Sequence, residues 1–209
     1  MAGSSSDVPK CSSLEKAGLN DICLVLDLDG FSSSTQGFTP REMGFSVVHD
    51  QKDYGSYHYH PWVPYKELTK KEKQTARYVQ KYIHGMTYYP QDHKGRSYRQ
   101  LFQDIHQLYD RSKTTNRLYV AYKGGTIEKE LLTKMKIPCL NLEMFGCPKF
   151  DSLLKLCSVG TCGHHYDPFK HHCPKVECYH FTQWTRCQLQ LSFDQCYTNT
   201  RRLQTFLSF

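Results

Sequence analysis

The chain carries an unbroken apolar run, Ile22-Cys23-Leu24-Val25-Leu26, that ends in Asp27-Leu28-Asp29-Gly30-Phe31 and a serine-rich loop. A continuous run of strand length predicts a central strand covered on both faces, here one that delivers two acids at its C-terminal end. Gly44-Phe45-Ser46-Val47-Val48 and the alternation Tyr57-His58-Tyr59-His60 predict two further strands around the turn Asp53-Tyr54-Gly55. Pro61 and Pro64 end this β-meander, and Tyr65 to Ile83 reads as a Lys- and Gln-rich helix closed by His84-Gly85. A second helix from Tyr98 to Tyr109 places Leu101, Phe102, Ile105, Leu108 and Tyr109 on one face. Leu118 to Tyr122 is the next strand, and Lys123-Gly124-Gly125 turns it directly into a helix over Thr126 to Lys134. Cys139 to Glu143 reads as a short strand, Lys149 to Cys157 as a short helix, and Pro174 opens the last helix.

Three strands in series, then helices alternating with shorter strands, is the element order of an RNase H-like α/β fold with a mixed central sheet flanked by helices. Residues 1–20, serine-rich and without periodicity, predict a disordered lead-in; 21–190 form the domain, and 191–209 a polar C-terminal tail that the pattern does not place. The Gly124-Gly125 pair belongs to neither a G-x-x-x-x-G-K-[ST] nor a G-x-G-x-x-G motif, so it predicts a turn and not a phosphate loop.

Chemistry concentrates between Cys162 and Cys178, where three cysteines and four histidines share seventeen residues. Cys162 and His165 are spaced C-x-x-H, which aims a thiolate and an imidazole at one point, and Cys173 returns as a third ligand. That is most of a tetrahedral zinc site, with the fourth ligand to come from elsewhere; Cys178, five residues further along a helix, turns away. A disulfide cluster is the alternative. A chain of 209 residues needs no such staples, and with no apolar leader and no bilayer-spanning run its ten cysteines are expected in the reducing cytoplasm or nucleus. The net charge of +7, with 15 Tyr, 11 Phe and 11 His, gives a basic surface interleaved with stacking side chains; this suits a nucleic-acid partner, and no membrane is expected.

Asp27 and Asp29 leave the first strand on one face, so both can reach a Mg²⁺ or Mn²⁺ ion. One reading of D-x-D-G is a haloacid dehalogenase-type phosphatase, but Phe31 follows Gly30, and the later strand offers only Asn141 and Glu143 where that class needs a paired-acid motif. The other makes these acids the first motif of an exonuclease in which four carboxylates hold two metal ions. His172 and Glu177, spaced H-x-x-x-x-E at the mouth of the last helix, supply a general base and a further acid.

The succession D-L-D-G-F, R-E-M-G-F, K-Y-I-H-G-M, C-x-x-H and H-C-P-K-V-E-C, over residues 21–187, resembles the zinc-containing DEDDh exonuclease domain at the C-terminus of arenavirus nucleoproteins. It is also similar to the maelstrom domain of germline small-RNA proteins. The resemblance implies a structural zinc held by Glu42, Cys162, His165 and Cys173, and a catalytic set of Asp27, Asp29, His172 and Glu177. It implies metal-dependent 3′–5′ exonuclease activity, and protein partners in an RNA-silencing or viral ribonucleoprotein setting. The middle acid of the family pattern falls at Gly125-Thr126, and the nearest carboxylate, Glu128, is expected to face elsewhere. Maelstrom-like domains have lost catalytic acids while keeping the zinc ligands, so an inactive RNA- or protein-binding adaptor is the rival expectation. His84 is expected to sit at a helix C-terminus, favoured by the dipole; His58, His60 and His180 are expected on the surface or in packing. Trp62, Tyr57 and Tyr59 are candidates for base stacking or for half-buried core.

Overall fold

The computed structural model describes residues 17–34, 37–89, 95–154, 159–165 and 172–206, with side chains as far as 190. Five strands form one mixed sheet: β1 (Ile22–Ser33), β2 (Gly37–Val47), β3 (Tyr54–His58), β4 (Tyr119–Tyr122) and β5 (Cys139–Asn141). Their order is β3-β2-β1-β4-β5. The first three pair antiparallel, and β4 and β5 run parallel to β1. The apolar run therefore lies at the centre of the sheet, with Ile22 to Leu26 wholly buried.

Side chains alternate across β1. Leu24, Leu26 and Leu28 face a core with Leu101, Ile105 and Leu108 of α2 (Tyr98–Ser112) and Leu132 of α3 (Thr126–Lys134). Val25 faces the other way, toward α4 (Phe150–Leu153) and α5 (Pro174–Phe206), where Leu153, Cys178, Phe181 and Trp184 close a second core. Asp27 and Asp29 share the parity of Val25 and leave the sheet on the α5 side. Helix α1 (Lys70–Tyr82) packs beyond the end of β1, with Ala76 in a third cluster with Phe31, Val63, Leu68 and Tyr88.

Several boundaries differ from the pattern reading. β2 begins at Gly37 because Thr39, Pro40, Arg41 and Glu42, polar or unable to donate, are nevertheless strand residues; Pro40 is tolerated opposite a register shift at Gly30. β3 covers Tyr54–His58, so Tyr54 and Gly55 belong to the strand and not to a turn. The expected helix from Tyr65 divides into a 3-10 turn, Tyr65–Glu67, and α1, whose start is fixed by a capping box between Thr69 and Glu72. α4 spans Phe150–Leu153, and the rest of the expected Lys149–Cys157 helix lies largely outside the described residues. The expected lead-in, 1–20, lies mostly outside them, but Leu19–Asp21 form a 3-10 turn packed on the second core. α5 runs on through the stretch assigned to the tail, reaching Phe206. Among the described residues no helix is long and apolar enough to cross a membrane.

Candidate metal centre and acidic cleft

Two groups of side chains meet where β1 and β2 pass under the N-terminus of α5. The first is Glu42, Cys162, His165 and Cys173, whose donor atoms all lie within 4.8 Å of one another. Glu42 is fully buried in β2. His165 Nε2 lies 2.7 Å from Glu42 Oε2, Cys162 Sγ 3.5 Å from the same oxygen, and Cys173 Sγ 3.9 Å from Oε1. The other nitrogen of His165, Nδ1, contacts the His84 carbonyl, which fixes the ring's orientation and keeps Nε2 pointed at the cluster.

Charges in this cluster are held by one another. Burial alone would raise the Glu42 carboxyl, but His165, and secondarily His58, outweigh it and hold Glu42 well below the usual carboxylate range. Burial opposes protonation of His165, yet its contacts with Cys173 and Glu42 raise it to about 11. Hydrogen bonding from Cys162 lowers Cys173 to about 5, while the Cys162 thiol is raised. With both thiols and the imidazole deprotonated on binding, two cysteines, one histidine and one carboxylate are the kind of four-donor set that takes a tetrahedral metal, and the buried cluster could hold a metal such as zinc. None of the described cysteines is in a disulfide.

The second group is an acidic cleft. Asp27 and Asp29 lie opposite Gly44 and Glu42 of β2. Gly44 is required there: a Cβ on it would fall inside the backbone of Pro174, so only glycine lets the first turn of α5 approach the sheet. That approach brings Glu177, 8% exposed, over the strand. His172 Nδ1 is 2.6 Å from Glu177 Oε1, an ion pair that raises His172 to about 9 with its own side chain more than half exposed.

The structure corrects the placement of the middle acid. Thr126 is exposed, whereas Glu128 is buried and its Oε1 accepts a 3.2 Å hydrogen bond from the Leu28 backbone N–H, between Asp27 and Asp29. Helical side chains tilt toward the N-terminus, so an acid in the first turn of α3 reaches back past the end of β4 to its neighbour β1. Glu128 therefore belongs to the cleft. Its field reaches Asp27: burial raises Asp27 well above the usual carboxylate range, and Glu177, Glu128 and Asp29 add to the rise. Burial raises Asp29 to about 8, with Glu177 and Glu42 adding to it. Glu128 itself is raised by burial, partly offset by its hydrogen bonds. Asp29 Oδ2 is buried without a hydrogen-bond partner. A buried carboxylate oxygen with no donor, among acids that raise one another, fits a divalent cation. The acids are spread wider than the first cluster, which among the described residues is the one group of three or more such donors within 4.8 Å.

Other expected roles change. His84 does follow the C-cap of α1, but it is buried and held by hydrogen bonds, burial lowering it to about 4: Nδ1 accepts from the Met86 N–H and Nε2 meets the Gly30 carbonyl, so it ties the end of β1 to the loop after α1. His58, opposite Glu42 on β3, places Nε2 3.7 Å from Glu42 Oε2 and packs on His164. Strand pairing was the only signal that could have found it. Tyr59 is core, its hydroxyl donating to Asp104; Tyr57 carries the Arg96 guanidinium on its ring. Trp62 is exposed and packs on Tyr98 at the rim of a 420 Å³ cleft that also touches Leu28. Asn141 bonds the Gly124 turn and Glu143 pairs with Lys123, so neither serves the acids.

The fold and site together define an α/β protein with a five-stranded mixed sheet flanked by helices and a buried Glu-Cys-His-Cys cluster beside an acidic cleft. No family model, no curated protein and no solved structure matches the chain.

Proposed function

We propose that this chain is a zinc-stabilised, RNase H-like nuclease domain of the DEDDh exonuclease type, acting on RNA in preference to DNA from the 3′ end. The observation that carries the reading is Glu128 in the cleft. It completes four carboxylates, Asp27, Asp29, Glu128 and Glu177, with His172 at the rim. The adaptor reading draws on Gly125 and Thr126 at the expected acid position; a buried Glu128 bonded to Leu28 favours the enzyme over it. The strand order β3-β2-β1-β4-β5 and the acids at the end of the central strand support the RNase H-like assignment, and the resemblance to arenavirus nucleoprotein and maelstrom domains agrees with both.

The donor set of Glu42, Cys162, His165 and Cys173 fits Zn²⁺, and the acids fit Mg²⁺ or Mn²⁺, which when bound would activate water and neutralise charge on the phosphodiester. The residues do the rest. Asp27 and Asp29 are held by the sheet register, Glu128 by the Leu28 N–H, and Glu177 by the packing of α5 at Gly44. With Nδ1 held by Glu177 and its side chain more than half exposed, His172 leaves its other ring nitrogen to water; because the pair raises the ring to about 9, it accepts a proton from that water only once it is neutral, so cleavage should rise toward pH 9.

The test is incubation of end-labelled single- and double-stranded RNA with Mn²⁺, beside an Asp27→Ala control. Stepwise shortening from the 3′ end by the wild type alone supports the reading; no metal-dependent cleavage of either substrate overturns it.

A further inference from the structure

The nuclease reading leaves one conspicuous surface unused, the outward face of α1. Lys70, Lys73, Arg77 and Lys81 form a stripe at i, i+3, i+7 and i+11 along it. At 1.5 Å per residue the helix is about 20 Å long. Its one carboxylate, Glu72, is buried and bonds Ser33, Ser34 and Thr69 on the inner side of the helix. Among the described residues no carboxylate pairs with Lys70, Lys73 or Arg77. Beside the stripe, Tyr78 and Tyr82 stand 58% and 55% exposed, one helical turn apart, ring centroids 5.0 Å from each other, with Lys81 over the Tyr82 ring.

Two tyrosines left in water beside four cations are costly for a mere solvated face and suited to stacking bases while the cations meet phosphates. The helix is also tethered to the segments that form the cleft. The end of β1 runs from Asp29 to Ser33, which bonds Glu72 in the first turn of α1, and the His172 N–H donates to the Ile83 carbonyl just past its last turn. Both ends of the helix are thus tied to segments that hold the acidic site.

Resting on the nuclease reading, we infer that the outer face of α1 is a track for single-stranded nucleic acid, binding the part of the strand that extends beyond the cleft. Charge complementarity commits the surface to a polyanion, and the paired exposed rings favour a single strand with accessible bases over an acidic polypeptide.

The test measures binding of single-stranded RNA of about 4 and about 16 nucleotides, the range of single-strand site sizes, with Ca²⁺ in place of Mg²⁺ or Mn²⁺ so that the acids are neutralised without cleavage. On the longer strand, Lys70→Ala/Lys73→Ala/Arg77→Ala should reduce the slope of log affinity against log salt by about 2, at about 0.7 per phosphate contact. Tyr78→Ala/Tyr82→Ala should weaken it about tenfold or more, and Tyr78→Phe/Tyr82→Phe should restore it, since phenylalanine still stacks. The short strand, held in the cleft, should bind all variants as it binds the wild type. Equal losses on both lengths, or none on the longer, overturn the track. So does displacement of the longer strand by poly-glutamate at equal charge, which would assign the stripe to an acidic protein. Should the short strand neither bind nor be cleaved with Mn²⁺ while long-strand binding still depends on α1, the nuclease reading fails and the track stands.

Discussion

Replacing Glu128 by glutamine separates a catalytic cleft from a structural contact. The amide keeps an oxygen that can accept the Leu28 N–H, so the local fold has no reason to change. What goes is one negative charge among four. At an effective dielectric of about 20, two carboxylates about 6–8 Å apart repel by about 2–3 kcal/mol when both are ionised. Shared protonation realises only part of this, because burial and mutual repulsion raise Asp27 and Glu128 and bring Asp29 to about 8. A net gain on the order of 1–2 kcal/mol remains, which in a domain of this size is a rise in Tm of about 2–8 °C. The pH dependence has a definite sign. Carboxylates whose folded values are raised favour the folded state at low pH and lose that contribution as pH rises through the folded values, so the gain from Glu128→Gln is largest near pH 8 and fades toward pH 4. Added Mn²⁺ should stabilise the wild type and not the variant, and cleavage should fall at least tenfold. Thermal melts at pH 5 and 8, with and without Mn²⁺, read all of this. A variant that melts lower than wild type at both pH values and keeps the Mn²⁺ response would show that Glu128 serves only to hold Leu28.

Metal analysis of the purified protein should find one tightly held zinc per chain. Losing it by Cys173→Ser should remove folding free energy on the order of 10 kcal/mol, seen as loss of the cooperative melt, whereas zinc-free protein with paired cysteines would refute the site. Gly44→Ala should cost about 3 kcal/mol or more, because the new methyl cannot share space with the Pro174 backbone; a melt within 1 °C of wild type would deny that close approach. RNA binding should weaken steeply between low and moderate salt as counterions are released, and a flat dependence would remove the argument from the +7 charge.

The parts of this molecule that were legible in the sequence are those where local pattern and burial agree. Ile22 to Leu26 had to be a central strand, and Leu101, Ile105 and Leu108 had to be the inner face of a helix. The parts that were not legible are where the site overrides the pattern. The first half of β2 carries buried Arg41 and Glu42 where an apolar alternation would be expected, so nothing local marks it as a strand. Glu42 became a ligand candidate only through resemblance, since its three companions lie more than a hundred residues away. Cys162, His165 and Cys173 were readable because their spacing is itself the signal. Glu128 was misplaced because spacing along a helix was weighed without the backward tilt of its side chains, which decides what an acid in a first turn can touch.

The antiparallel register makes the two groups neighbours and not merely co-residents. Glu42 stands directly opposite Asp29, Cys173 precedes the helix that carries Glu177 and follows His172, and His165 reaches the carbonyl of His84, whose ring meets Gly30 just past Asp29. Of the acidic cleft, Asp29 is one strand pair and His172 one residue from a member of the Glu-Cys-His-Cys cluster, and Glu177 is paired with His172. A cation held by Glu42 would fix the strand that presents Asp29 and the turn that presents His172, and would draw off part of the negative field that Glu42 projects onto Asp29. Glu128 arrives by a different route, from α3 on the far face of the sheet, held by the backbone N–H groups of Leu28 and of its own residue. It is therefore the acid whose position owes nothing to the metal cluster, and the one whose substitution reports on the cleft alone.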